Sequence, residues 1–171
     1  MIEVDVVLED ARWETLGLQD ISDTAVLSVL THLDISGEEI EVAVLACDDA
    51  RIAELNADFR DKAKATNVLS WPADELAAET DGGTPDRPAP DPTGAMELGD
   101  IAISYDTCAS EAEAALKPIQ DHVMHLMIHG TLHLLGYDHV RDQDATLMER
   151  LEVEILEKLG IDDPYSSLPA G

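Results

Sequence analysis

The stretch HGTLHLLGYDH (129–139) restricts what this chain can fold into more than any other part of it. It places three histidines at the spacing H-x3-H-x5-H, with Gly136 three residues before the last. Residues four apart on an α-helix share a face, so His129 and His133 can hold one ion between them. Nitrogens on a single tetrahedral zinc sit roughly 3.3 Å apart, given bonds of about 2.0 Å. His125 continues the helical row, but it lies eight residues from His133, about 12 Å along the axis. One straight helix therefore cannot supply three ligands. The helix has to end and the chain has to turn back. Gly136 stands where a left-handed glycine ends a helix, and His139 follows it closely enough to return to the ion.

Three protein ligands leave a fourth position open, which marks a catalytic rather than a structural site. An all-imidazole set favours zinc over calcium or magnesium. His129, His133 and His139 are accordingly read as the ligands of one zinc ion per chain. Zinc proteases of the metzincin type share this spacing, but they carry a glutamate base directly after the first histidine. Here that position is Gly130, and glycine cannot transfer a proton. His32, His122 and His125 are read as packed core residues, the last two with an outer-shell or substrate-facing role as the alternative.

The chain has 171 residues, enough for one domain with a substantial core. Hydrophobic residues make up 45% and aromatic ones 4%, so the core must be built from aliphatic side chains. The acidic start MIEVDVVLEDARWE lacks the basic-then-apolar pattern of an export signal, and no run reaches the length of a membrane span. Cys47 and Cys108 lie far apart and form no CxxC. They are expected to be reduced core residues of a cytoplasmic protein. The net charge of -27 weighs against a phosphate backbone as partner. Residues 51–70 are the exception, with Arg51, Arg60, Lys62 and Lys64 against Glu54, Asp58 and Asp61.

Periodicity places strands at 2–9, 39–47, 66–72 and 98–108. Helices are expected at 23–33, behind an Asp23 or Thr24 cap, at 48–60, at 109–116, from Pro118 to about 135, and at 142–160. Residues 80–94, TDGGTPDRPAPDPTG, hold four prolines and three glycines and read as a mobile surface insertion. The sum is one α+β domain over residues 1–171. It has a small mixed four-stranded sheet packed with about four to five helices, and a metzincin-like histidine site.

HGTLHLLGYDH also resembles the signature of the YbeY family of bacterial rRNA maturation factors. LNADFRDKAKATNVLSWP (55–72), LGDIAIS (98–104) and LEVEILEKLGIDDPY (151–165) are similar to further blocks of that family, in the same order. The resemblance implies a zinc-dependent, single-strand-specific endoribonuclease with the three histidines as ligands. It further implies action in 16S rRNA 3′-end maturation and ribosome quality control, with single-stranded rRNA, ribosomal particles or assembly factors as partners. Arg60 matches the family's arginine, which implies a role in catalysis or substrate binding, where a guanidinium suits a phosphoryl group. Lys62 and Lys64 either attract the RNA backbone or only keep the surface soluble. Asp138 either orients a zinc ligand or the attacking water, or caps the turn after Gly136. The general base is left open. Two rivals remain: a metalloprotease-like hydrolase, and a non-catalytic assembly factor whose zinc only holds the fold.

Overall fold

In the computed structural model the described residues are 2–60 and 64–165, with the side chain of Arg60 outside the description. Ten elements follow one another: β1 (Ile2–Leu8), α1 (Arg12–Leu16), α2 (Leu18–His32), β2 (Glu39–Cys47), α3 (Asp49–Arg60), β3 (Val68–Pro72), β4 (Ala95–Ser104), α4 (Tyr105–Ala114), α5 (Ile119–Leu134) and α6 (Asp142–Lys158). The sheet order is β1-β2-β4-β3. β1, β2 and β4 run parallel, and β3 closes one edge antiparallel to β4. The chain is thus α+β with a mixed four-stranded sheet, as its periodicity indicates.

Alternation decides which face is buried. Ile40, Val42, Val44 and Ala46 of β2 point into the main core with Val4, Ile101 and Ile103, and α2 and α5 cover that face. α3 packs on the opposite face, where Ile52 meets Cys47, Leu69 and Ala102. A bulge in β4 falls between the pairs Glu41↔Glu97 and Val42↔Gly99. It lets Met96 and Leu98 before it, and Ile101 and Ile103 after it, reach the same core. Gly99 carries φ +139 there, and a Cβ would run into the Trp71 carbonyl. Both cysteines are free and buried.

Among the described residues six helices form rather than about four to five. The addition is α1, a single turn that buries Trp13, whose indole N–H donates to the Cys47 carbonyl at 2.9 Å. Gly17, at φ +81, ends α1 and opens α2. α2 starts at Leu18, not at 23, because the buried row Leu18, Ser22, Val26 and Val29 begins one turn earlier behind polar neighbours. β4 starts at Ala95, not at 98, and ends at Ser104, where α4 takes over.

Residues 80–94 lie against the rest of the chain through specific contacts. The Gly82 N–H donates to the Asp144 carboxylate, and the Asp81 carboxylate accepts from the Asp144 N–H, each at 2.8 Å. Arg87 donates to the carbonyls of Leu33 and Asp34 at the end of α2.

Candidate metal centre

α5 is amphipathic in the sense needed to present ligands. Val123, Met127, Ile128, Leu132 and Leu134 are buried, and the remaining face carries His125, His129 and His133. The helix ends as the glycine requires. Gly136 adopts φ +99, its N–H donates to the His133 carbonyl at 3.0 Å, and the Tyr137 N–H donates to the Leu132 carbonyl at 3.1 Å. This paired closure satisfies carbonyls that the last turn leaves orphaned. It also reverses the chain, so His139 comes back over the helix face.

Each of the three histidines offers a ring nitrogen, and these nitrogens all lie within 4.8 Å of one another. His129 Nε2 and His133 Nε2 are 3.0 Å apart. The rings of His129 and His139 stack with centroids 5.2 Å apart. The donor set is three imidazoles with no carboxylate, and its spacing fits a tetrahedral transition-metal ion with one position left open. Burial, helped by the neighbouring imidazoles of His129 and His139, pushes the His133 pKa down to about 4. His133 is therefore neutral at physiological pH and ready as a ligand. The unfolded chain takes up a proton on this residue near pH 6.5, while the folded metal-free chain takes it up only near 4. Stability of the metal-free protein is thus expected to be full above about pH 6.5. It should fall as pH drops towards about 4, as read by denaturant unfolding across that range with chelator present.

The cluster forms one wall of an open cleft of about 920 Å³. β3 and the segments on either side of it form the other wall, through Asn67, Ser70, Asp74 and Glu75. Asp138 also lines the cleft, and its carboxylate accepts from the His139 N–H at 2.7 Å. Lys64 is exposed and stands outside the lining. Lys62 and the Arg60 side chain lie outside the described residues, although α3 runs to Arg60 and the chain re-enters the cleft wall at Thr66. Among the described lining residues none is Lys or Arg, while Asp74, Glu75 and Asp138 are acidic. A cation at the three histidines would sit in a negative field.

Gly130 is buried, and a Cβ there would stand 3.2 Å from Ile101 Cδ1. α5 turns this position towards the sheet, not the cleft. Any side chain at 130 would start in tight contact with Ile101 of β4.

Residues that sequence reasoning did not single out also gather here. Glu152 of α6 is 1% exposed. It accepts from His125 Nε2 at 2.6 Å and from the Tyr165 hydroxyl at 2.9 Å, with His129 Nδ1 at 3.3 Å. Burial pushes its carboxyl up, but the hydrogen bonds from His125 and His129 outweigh that and bring it to about 2. His122 and His125 are thus not plain core residues: each pairs with a carboxylate, His122 with Glu111 at 2.9 Å. Glu111 also accepts from Asn67 Nδ2 at 3.0 Å, tying α4 and α5 to the cleft wall. The signal for Glu152 was its place on the apolar row of α6, four residues after Met148 and three before Ile155.

The family model for Endoribonuclease YbeY matches residues 7–160. Among similar proteins, "Endoribonuclease YbeY" of Ruegeria sp. strain TM1040 is 62% identical, over 95% of each chain. That of Ruegeria pomeroyi is 60% identical, covering 95% of this chain and 98% of the relative. The solution structure of TM1509 from Thermotoga maritima matches with a TM-score of 0.54 at 20% identity, over 97% of this chain and 99% of that one. That likeness concerns the fold.

Proposed function

The chain belongs to the endoribonuclease YbeY family, and we propose that it cleaves single-stranded RNA with one zinc ion held by His129, His133 and His139. The observation that carries this reading is the convergence of three imidazoles on the wall of an open cleft of about 920 Å³. A zinc ion bound there supplies positive charge and Lewis acidity to a phosphodiester. The protein's own part is orientation and charge. Arg60 contacts the phosphoryl group through its planar guanidinium. Lys62 and Lys64 draw the RNA backbone past an otherwise acidic rim. Asp138 fixes the backbone of His139 and with it the third ligand. The cleft between β3 and the histidines is where an extended single strand would lie.

The substrate we propose is rRNA, with the protein acting in 16S rRNA 3′-end maturation and ribosome quality control in the cytoplasm. Ribosomal particles or assembly factors deliver the RNA, because a net charge of -27 gives weak unassisted affinity for it. No helix among the described residues is long and apolar enough to cross a membrane. The metalloprotease reading is disfavoured by Gly130, which stands where that class carries its glutamate base and cannot transfer a proton.

The test is cleavage of a labelled single-stranded RNA and its duplex by nuclease-free protein of measured zinc content. The native chain should cut the single strand and spare the duplex. Arg60→Ala should keep its zinc and lose about tenfold to a hundredfold in cleavage, the worth of a charged hydrogen bond of about 1.5–3 kcal/mol. No cleavage of single-stranded RNA by zinc-loaded protein would sink the enzymatic reading.

A further inference from the structure

A carboxylate buried to 1% exposure is costly unless donors surround it. Glu152 sits on the core-facing row of α6 with Met148, Leu151 and Ile155. A leucine there would pack without that cost. Its surroundings are specific. The oxygen Oε1 faces His125 Nε2 at 2.6 Å, the Tyr165 hydroxyl at 2.9 Å and His129 Nδ1 at 3.3 Å. Oε2 takes the same hydroxyl at 3.1 Å. Two of these partners, His125 and Tyr165, do not line the cleft. The third is a ligand of the proposed ion.

The two nitrogens of His129 face opposite ways. Nδ1 faces Glu152, and Nε2 faces the other ligands, 3.0 Å from His133 Nε2. A neutral imidazole carries one proton, and the hydrogen bond at one nitrogen decides which it is. An ionised carboxylate accepts only. We infer that Glu152 is the positioning residue of this centre: it keeps the proton of His129 on Nδ1 and so directs the Nε2 lone pair at the ion. His125 and Tyr165 hold the carboxylate in place by donating to it. The inference rests on the proposed metal site, since only an ion there needs that lone pair. One corollary holds without metal. With His129 protonated on Nδ1, its Nε2 can only accept across the 3.0 Å contact with His133 Nε2.

Two measurements decide. Imidazole nitrogen NMR of the metal-free wild type should show His129 as the Nδ1–H form. Finding His129 as Nε2–H overturns the inference, with no variant needed. Competition titration against a chromophoric zinc chelator should then show Glu152→Gln folded but binding zinc about tenfold to a hundredfold more weakly. A folded Glu152→Gln with wild-type zinc affinity overturns it, because a merely structural glutamate would change unfolding and leave the folded site alone. If Glu152→Gln does not fold, Tyr165→Phe replaces it. That change removes one donor from a partly exposed ring and should weaken zinc binding severalfold, with unchanged affinity again overturning the inference. A wild type that binds no zinc would refute the metal reading instead, and the tautomer measurement would still judge Glu152.

Discussion

Replacing His133 by alanine is expected to remove bound zinc and lower RNA cleavage by at least about a thousandfold, while the chain stays folded. The magnitude follows from the ion's worth of several kcal/mol to a developing phosphoryl charge, at about 1.4 kcal/mol per tenfold. The fold should survive because the core face of α5 is carried by Val123, Met127, Ile128 and Leu132, not by His133. The variant also has a second, independent signature. In the metal-free wild type, His133 resists protonation down to about pH 4 because it is buried, so acid destabilises the fold from about 6.5 downward. His133→Ala has no such group, and its unfolding free energy should vary less over that interval. Zinc content by elemental analysis, cleavage rate and denaturant unfolding at two pH values test the three parts separately. A variant that retains stoichiometric zinc would show that His133 is not a ligand.

What could be read from the chain, and what could not, follows from how local each feature is. The histidine site is legible because its geometry is set within eleven residues: four-residue helical spacing, a glycine at positive φ and a short return. β2 is legible because Ile40, Val42, Val44 and Ala46 alternate without interruption. β4 is blurred because the bulge at Leu98 and Gly99 shifts the alternation by one, so no single period spans Met96 to Ile103. α1 is one turn long and is fixed by the burial of Trp13 under Tyr105, a contact across more than ninety residues. Glu152 is the instructive omission. Nothing near it in sequence marks it, since two of its partners come from α5 and one from the segment after α6. Only its intrusion on an apolar row shows that a carboxylate must be satisfied inside the molecule. The sign of the local charge is readable from the sequence, while the Arg60 side chain and Lys62 lie outside the described residues.

Gly136→Ala should be the most disruptive change that touches no ligand. The position has φ +99, which costs an L-residue about 1–2 kcal/mol. Space makes it worse. A Cβ would stand 2.7 Å from the Leu76 carbonyl carbon and 2.9 Å from its oxygen, and a backbone cannot swing aside as a side-chain tip does. Overlap of this kind costs about 1–3 kcal/mol more. The total of roughly 2–5 kcal/mol should lower the melting temperature by about 5–15 °C in a domain of this size. The damage is also directional. Leu76 lines the cleft opposite the histidines, and the turn at Gly136 carries His139. Relief of the overlap must move one wall or the third ligand, and a displacement near 1 Å can cost about a hundredfold in rate. Gly160→Ala is the matched control. That glycine has φ +77 with nothing within 4 Å of its Cβ position, and it lies beyond α6. It should show the conformational cost alone, with zinc affinity and cleavage unchanged. If the two alanine variants lose stability equally and both keep wild-type zinc binding, the turn is not what seats His139.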